Sequence, residues 1–439
     1  MNRKFLSATV VAAALGGIAV PVQADISIMY PEWIASLVEP GIASFEAATG
    51  QTVTSIMLPG EGYDRRIAVD LAAGTAADVA VVDSFMVAEL ASAGYLAPLN
   101  DPLAGWDQFQ YYMPGLLDVV SYSGSVFALP TDTDVRMLWY DRSLFEAAGI
   151  AMPWTPQTWD DVLATAQILK DSGVENAFIL PAGTKQGEGA TMQGFYMALL
   201  GADTPEDDRN RLRNWAEEKW IGDSPALRAT VSLYHEVYNV RQLTSASINY
   251  ATDIGAAVRE ALANDEVGII ASGSWEWVCL FDCSGVNVPS VEERNAMLGW
   301  TPWPGSGAEG APATTNISGG WAIGVNAAAS DPDMAVSLLT TIFDYENFAA
   351  WTLTNGRMAV RTDISESAPY LENAFLAEAT KLAATTTGRD TYPGYQVVSA
   401  LVQEMTAAIL DGVSPEDALA EYRAALVDEF SEENVIVYE

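Results

Sequence analysis

One short stretch of the chain combines residue types that could bind a metal, catalyse a reaction or hold a ligand. In GSWEWVCLFDC, Gly273 to Cys283, two tryptophans flank Glu276 and two cysteines follow at a spacing of four. A structural zinc site usually needs four ligands. The whole chain has only these two cysteines and one histidine, His235. The sequence therefore predicts no metal site and no cofactor.

Recognisable catalytic motifs are also missing. The sequence has no Gly-x-Ser-x-Gly elbow, no HExxH and no phosphate-binding loop. His235 lies in the helical run TVSLYHEVYNV, where a packed or solvated side chain is the simpler interpretation. A glycosidase needs only two carboxylates, and the chain has 58 acidic residues, so motifs alone leave that enzyme class open. We predict no catalytic residues.

The charge of the chain excludes several classes of partner. Its 439 residues include 58 acidic and 21 basic side chains, which gives a formal charge of −37. Such a field repels nucleic acid and anionic lipid.

Half of the residues are hydrophobic, which is enough for two domains with cores of their own. An adhesin or structural surface protein would usually show internal repeats, and the sequence has none.

The N-terminus has the pattern of a secretory signal peptide. Basic residues precede an apolar run from Phe5 to Val20, and Val22-Gln23-Ala24 forms a small-x-Ala cleavage signal. We predict cleavage after Ala24 rather than a membrane anchor, because the apolar run is short. No cysteine lies near the cut, so we predict no lipid anchor. An oxidising compartment would favour a disulfide between Cys279 and Cys283, with free thiols as the alternative.

Strand and helix patterns alternate along the chain. The first strands are predicted at Ile26–Tyr30, Thr52–Leu58 and Asp78–Asp83, with helices between them at Ala35–Ala48 and Asp64–Ala73. This alternation predicts an α/β layer with a mainly parallel sheet. Later strands are predicted at Val126–Pro130, Val135–Tyr140, Val267–Ala271 and Gly320–Asn326, and a capped helix start at Thr158.

Aromatic and polar residues gather at the ends of these strands, where α/β sheets bind their ligands. Aromatic rings can cover the C–H faces of a sugar, and carboxylates, amides and guanidinium groups can bind its hydroxyls. The candidates of this kind are Trp33, Glu61, Tyr63, Gly319, Gly320 and Trp321. Simpler interpretations remain: Trp33 and Trp321 could pack in the core, and Glu61 and Tyr63 could belong to a surface turn. The two glycines could let backbone amides approach a ligand.

The run ALPTDTDVRMLWYDRSLFEAAGIAMPWTPQTWDDVLATAQILK, Ala128 to Lys170, resembles the central signature of bacterial extracellular solute-binding proteins of family 1. That family includes sugar-binding components of ABC importers such as the maltose-binding protein. Other segments resemble it in the expected order: AAGTAADVAVVD, LASAGYLAPLND, ASGSWEW, SGGWAIGVNAAASDPDMAVSLLTTIFD and NGRMAVRTD. In the last of these, Ala359 replaces the family's usual proline. The likeness covers nearly the whole chain after Ala24.

The resemblance implies a two-lobed periplasmic-binding-protein fold of type II. Each lobe is expected to be a mainly parallel sheet flanked by helices, with the ligand in the cleft between the lobes. We predict a signal peptide at 1–24, an N-terminal lobe from 25–132 and 317–348, and a C-terminal lobe from 133–316 and 349–439. Chain crossings between the lobes are expected near Thr131–Asp134, Ala311–Ser318 and Tyr345–Trp351.

The resemblance also places residues in the cleft. They are Asp83, Ser84, Asp132, Asp134, Arg136, Trp275, Arg357 and Tyr395. Asp83 and Ser84 could instead cap the next helix, and an internal Asp–Arg ion pair is the alternative for the alternating residues of the crossing. The missing proline leaves the alignment of Arg357 and Arg361 open. If the chain stays extended after Gly273, Trp275 and Trp277 share a face and Glu276 points the other way. We favour a helix that starts at Ser274, as the family does about here, in which case only Trp275 need face a ligand.

The function implied by the resemblance is that of a periplasmic substrate-binding protein of an ABC importer. Such a protein captures a carbohydrate by closing its cleft and delivers it to the membrane permease. We expect a monomer that binds a mono- or oligosaccharide, a glycoside or a sugar-like polyol without turnover. The arginines leave an anionic sugar derivative open as an alternative. Another small polar solute such as a polyamine, and a secreted carbohydrate-active enzyme, are the further alternatives.

Overall fold

The computed structural model describes residues 26–60, 62–251, 254–283, 287–383, 386–390 and 392–439. Glu61 and the predicted signal peptide lie outside these residues. The strands are β1 (Ile26–Pro31), β2 (Val53–Leu58), β3 (Val79–Asp83), β4 (Ser121–Tyr122), β5 (Ser125–Val126), β6 (Ala128–Pro130), β7 (Arg136–Asp141), β8 (Asn176–Ile179), β9 (Arg213–Asn214), β10 (Lys219–Asp223), β11 (Val267–Gly273), β12 (Leu298–Pro304), β13 (Thr314–Thr315), β14 (Trp321–Val325) and β15 (Val435–Val437).

Helices flank these strands along the chain. They are α1 (Ala35–Thr49), α2 (Tyr63–Ala73), α3 (Ser84–Ser92), α4 (Asn100–Leu103), α5 (Pro114–Asp118), α6 (Arg142–Ala147), α7 (Trp159–Asp171), α8 (Gln193–Ala202), α9 (Pro225–His235), α10 (Ile254–Ala263), α11 (Glu276–Cys279), α12 (Val291–Met297), α13 (Pro332–Ile342), α14 (Tyr345–Thr354), α15 (Thr362–Ser365), α16 (Ala368–Glu372), α17 (Ala374–Ala383), α18 (Tyr395–Leu410) and α19 (Pro415–Phe430). A π-helical turn, Glu188–Met192, precedes α8. Within the described ranges, no helix is long and apolar enough to cross a bilayer.

The first sheet has the strand order β2-β1-β3-β14-β6. β1 pairs in parallel with β2 and β3, whereas β14 runs antiparallel to β3 and β6. Every residue of β3 is buried, as expected for a continuous apolar run with both faces covered. Helices α13 and α14 pack against α1 beside this sheet.

The second sheet has the order β13-β12-β7-β11-β8. β11 is parallel to β8, but β7 runs antiparallel to both β11 and β12. Both sheets are therefore mixed, and the expectation of mainly parallel sheets is too simple. The physical reason is the path of the chain. β7 and β14 start at the edge where β11 and β3 end, as the pairs Arg136–Gly273 and Trp321–Asp83 show. A strand that starts at the edge where its neighbours end must be antiparallel to those neighbours.

The chain passes between the two sheets at two points that are close in space. Residues 131–135 join β6 to β7, and residues 316–320 join β13 to β14. Further along, Arg361 still pairs with Tyr112 on the side of the first sheet, whereas Phe375 packs against Trp139 of the second. The expected third crossing near Tyr345–Trp351 stays a prediction. The boundaries of the two lobes stay a prediction.

Candidate functional site

A cavity of about 370 Å³ lies between the two sheets, where β3 and β11 end and where β7 and β14 begin. Its volume is in the usual range for pockets that bind small molecules. The sequence-predicted residues that line it are Trp33, Asp83, Asp132, Asp134, Arg136, Trp275, Gly320, Trp321 and Arg357. The structure therefore brings together residues that lie far apart in the sequence.

Two aromatic rings form the wall of the cavity on the side of the first sheet. Trp33 follows β1, Trp321 begins β14, and their ring centroids lie 5.0 Å apart in an edge-to-face arrangement. Both side chains are half-buried. The guanidinium carbon of Arg357 lies 5.6 Å from the Trp33 ring. This wall offers ring surface next to a positive charge.

Asp132 lies in the first crossing and is fixed against this wall. Its Oδ1 accepts hydrogen bonds from the backbone N–H of Trp321 at 3.2 Å and from the hydroxyl of Thr131 at 3.1 Å. Its Oδ2 accepts a hydrogen bond of 3.3 Å from Nη1 of Arg357. Burial raises the pKa of Asp132, although Arg357 acts in the opposite direction. Three donors therefore hold this carboxylate in place.

Gly320 allows the two crossings to touch. Its φ is +135°, and a Cβ on this residue would lie 2.3 Å from the carbonyl oxygen of Asp132. Its own carbonyl accepts a hydrogen bond from the backbone N–H of Ser84 at 3.0 Å. No larger residue fits here without moving the backbone. Gly320 thus sets the spacing between Asp132 and the start of β14.

Arg136 lies on the opposite side of the cavity, at the start of β7. Its guanidinium carbon is 3.8 Å from the ring centroid of Trp275, and its Nη1 donates to the carbonyl of Gly189 at 3.1 Å. Its Nε lies 3.4 Å from Oδ1 of Asp134. Burial lowers the pKa of Arg136 to about 10, while Asp134 opposes this shift. The side chain therefore stays charged at neutral pH.

Several polar atoms around Arg136 are buried without a hydrogen-bond partner among the described residues. They include Nη2 of Arg136, Oδ1 of Asp134 and Oε1 of Gln193. A buried polar group left unpaired costs about 1–3 kcal/mol. These atoms are shielded from solvent, so a ligand in the cavity reaches them only if the surrounding side chains move.

The GSWEW stretch places one tryptophan at the cavity and the other in the core. A Cβ on Gly273 would lie 2.1 Å from Cζ3 of Trp275, so this ring rests directly on the glycine. Helix α11 begins at Glu276, and Trp277 stacks on Phe375 at 4.7 Å in the core. The prediction that the chain turns here, leaving only Trp275 toward the cleft, agrees with this geometry.

Glu276 lines the cavity and accepts hydrogen bonds from its own neighbours. Its Oε1 accepts hydrogen bonds from Ser272 Oγ at 2.7 Å and from Trp275 Nε1 at 3.0 Å. Removal from water raises the pKa of Glu276, and these hydrogen bonds act against the rise. A disulfide joins Cys279 to Cys283, and both cysteines line the cavity.

The sequence analysis missed an ion-pair cluster that connects the two sides of the cleft. Arg389 donates from Nη2 to Asp83 Oδ1 at 2.9 Å and from Nη1 to Glu188 Oε2 at 2.8 Å. All three side chains are buried. Burial raises the pKa of Asp83 to about 6, with Arg389 lowering it and Glu188 raising it. The only signal for Arg389 was a charged pair, Arg389-Asp390, inside a Thr- and Gly-rich loop.

Other predicted residues lie near the cavity without lining it. The hydroxyl of Tyr63 donates to the carbonyl oxygens of Met29 at 3.0 Å and Val81 at 2.9 Å, so it ties β1 to β3. The hydroxyl of Tyr395 donates to Glu188 at 3.1 Å. Both of these side chains are buried and serve as supports.

The cavity lining does not include three further residues considered from the sequence, namely Ser84, Gly319 and Arg361. The Ser84 hydroxyl lies 3.5 Å from Asp83 Oδ1, and a Cβ on Gly319 would lie 3.1 Å from Nη2 of Arg389. Arg361 is fully buried and forms an ion pair with Asp363. It therefore belongs to the core beside Tyr112 and not to the cavity.

Comparisons with known proteins agree with this geometry. The family model described as bacterial extracellular solute-binding protein matches residues 30–347. A putative binding protein of Brucella abortus (strain 2308) is 24% identical over 390 residues, which are 88% of this chain and 87% of the relative. An ABC transporter solute-binding protein of Thermotoga lettingae TMO, solved with α-D-tagatose, has 21% identity and a TM-score of 0.76, covering 92% of this chain and 99% of that one.

A second solved structure gives the same result. Maltose-bound MalE3 of T. maritima has 20% identity and a TM-score of 0.76, covering 92% of this chain and 100% of that one. At these identities the structures show a shared fold. The predicted two-lobed α/β fold is thus confirmed, with mixed sheets.

Proposed function

Because the chain belongs to the family of bacterial extracellular solute-binding proteins, we propose that it captures a neutral carbohydrate and delivers it to the permease of an ABC importer. The observation that carries this proposal is the cavity, where Trp33, Trp321 and Trp275 lie beside arginine–carboxylate pairs. Rings cover the faces of a sugar, and the paired charges can donate to and accept from its hydroxyls. Tagatose and maltose are bound by the two structurally similar proteins, which supports the same ligand class.

The charge arrangement favours a neutral ligand over an anionic one. Arg136 lies next to Asp134, and Arg357 is hydrogen-bonded to Asp132. An anion would have to approach these carboxylates or break the pairs, which would leave a buried charge without its partner. A polyamine would have to approach the arginines or separate them from their carboxylates. Carbohydrate hydroxyls can use both members of each pair without displacing either.

The same pairing argues for binding without catalysis. A glycosidase needs one carboxyl group as an acid and a second as a base or nucleophile, both facing the scissile bond. In the cavity, Asp132 and Asp134 face arginines, and Glu276 accepts from Ser272 and Trp275. We therefore propose a binding protein that releases its ligand unchanged.

We propose the periplasm as the place where this happens. The predicted signal peptide, with cleavage after Ala24, and the family support export of the chain. A monomer would suffice, because the cavity is formed by two sheets of one chain. Cleft closure around the sugar would then be the signal that the permease reads.

Calorimetry of the exported protein with a panel of neutral sugars tests the proposal. We expect at least one neutral mono- or oligosaccharide to bind and to be recovered unchanged by chromatography. A ligand at about a hundred times its dissociation constant should stabilise the protein by about 2.7 kcal/mol in a thermal-shift assay. Conversion of the sugar, or binding of only acids or amines, would contradict the proposal.

A tryptophan pair provides the matched control. Trp275→Ala should weaken binding by roughly 1–3 kcal/mol, because a desolvated ring contact with the ligand is lost. Trp106 is a half-buried tryptophan near Tyr112 and does not line the cavity. Trp106→Ala should leave the affinity unchanged. Equal affinities of the two variants would remove Trp275 from the site.

A further inference from the structure

The cavity has two chemically different ends. The end at the first sheet and the crossings carries Trp33, Trp321 and the fixed carboxylate of Asp132. The other end is formed by α10, β11 and the segment after α11. Its lining side chains are Ile254, Val258, Ile270, Ala271 and Leu280, together with the Cys279–Cys283 disulfide. Aliphatic groups and sulfur form most of that surface.

Polar groups at the apolar end are engaged with one another. Ser272 and the Trp275 indole both donate to Glu276. Arg259 is half-buried, donates from Nη1 to the carbonyl of Cys279 at 3.4 Å, and acts electrostatically on Glu276. A sugar ring pushed against this wall would give up water for its hydroxyls and gain few hydrogen bonds in return. An apolar group has no hydroxyls from which water must be removed.

We propose that the ligand is a glycoside with an apolar aglycone, whose sugar binds at the Trp33–Trp321 end and whose alkyl or aryl group binds between α10 and the disulfide. The proposal rests on the proposed function and names its substrate class. Asp134 and Arg136 also line the cavity, and their ion pair can bind hydroxyls of the sugar. Each methylene buried at the far end should raise affinity about fourfold.

Calorimetry with methyl, butyl and phenyl glycosides tests this assignment. We would use the glucosides, galactosides and mannosides in both anomeric forms, with maltose for comparison. For the sugar that binds, we expect the phenyl and butyl glycosides to bind at least about tenfold more tightly than the methyl glycoside. The sugar part is the same in each set, so the difference reports on the aglycone alone.

Two wall variants locate the effect. Val258→Thr keeps the shape of the side chain and replaces one methyl group with a hydroxyl, and Ile254→Asn makes a half-buried residue in the first turn of α10 polar. Each should reduce the phenyl-over-methyl ratio several-fold. Asp132→Asn should weaken all glycosides by the same factor, because Asp132 lies at the sugar end.

The outcomes separate this inference from the proposed function. A phenyl-over-methyl ratio near one, or a large ratio that neither wall variant changes, would overturn the aglycone assignment while sugar binding stands. Maltose binding more tightly than every glycoside would do the same. If no sugar or glycoside binds, the proposed function fails, and the aglycone assignment fails with it.

Discussion

Replacing Asp83 with asparagine tests the buried ion pair that spans the cleft. Oδ1 of Asp83 accepts hydrogen bonds from Arg389 at 2.9 Å and from the backbone N–H of Phe85 at 3.3 Å, which caps α3. Asparagine has nearly the same size and keeps an oxygen acceptor for the cap. It removes the charge, and Arg389 keeps Glu188 as its ionic partner. The variant therefore isolates the effect of the charge on Asp83.

The expected magnitude comes from the pKa of Asp83, which burial raises from its ordinary value of 3.8 to about 6. Because the folded-state pKa lies above the unfolded value, the folded protein holds this proton more tightly. The ionised carboxylate then disfavours the folded state by about 3 kcal/mol at pH 7. This penalty fades as the pH falls from about 6 to about 4, where the folded carboxyl is protonated and the unfolded one is only partly ionised, and it vanishes below both pKa values. The asparagine side chain of the variant never ionises, so the variant should not show this penalty.

Urea unfolding of the wild type and of Asp83→Asn at pH 4, 5, 6 and 7 measures the effect. We expect similar unfolding free energies at pH 4, and a variant that is more stable by up to about 3 kcal/mol at pH 7. Asp344→Asn, at the exposed start of α14, reports what the same substitution does at another helix cap. A difference between wild type and Asp83→Asn that stays constant from pH 4 to 7 would refute the reasoning. A wild type whose unfolding free energy rises relative to that of the variant as the pH increases would also refute it, because the ion pair would then outweigh desolvation.

Two glycines give further predictions. Gly320→Ala should lower the free energy of unfolding by about 1–3 kcal/mol, because its Cβ would lie 2.3 Å from the Asp132 carbonyl at a φ of +135°. Gly273→Ala should weaken sugar binding about as much as Trp275→Ala, because its Cβ would lie 2.1 Å from the Trp275 ring and displace it. Gly115→Ala is the control for both, since a Cβ there meets no atom within 4 Å. Urea unfolding checks Gly320→Ala, and calorimetry of sugar binding checks Gly273→Ala. An unfolding free energy or a sugar affinity equal to that of Gly115→Ala would contradict the corresponding prediction.

The strand ends were the part of the site that the sequence could predict. Asp83 ends β3 and Trp321 begins β14 beside it, and both line the cavity. A buried apolar run fixes where a strand lies, and its end fixes which edge of the sheet the next residue reaches. Tyr63 shows the limit of this argument. It follows β2 closely, but its hydroxyl is hydrogen-bonded to two backbone carbonyls inside the sheet and does not line the cavity.

The rest of the site depends on contacts between distant segments, which no local pattern records. Glu188 lies in a π-helical turn and Arg389 in a loop, and each becomes a site neighbour only through contacts with residues far away in the sequence. The apolar wall at Ile254 and Val258 looks in the sequence like one face of an ordinary helix. The direction of β7 and β14 was missed for a similar reason, since strand polarity follows from the chain path and not from residue types.

The place of β14 in the first sheet also sets an order on folding. β6 ends at Pro130, but its described neighbour in the sheet is β14, which begins only at Trp321. β7, the next strand along the chain, likewise pairs with β11 and β12, which come much later in the sequence. Long-range pairings of this kind form late, after much of the chain is available. A nascent chain that stops short of Trp321 therefore carries unpaired strand edges in its first sheet. It can complete that sheet only once most of its length has been made.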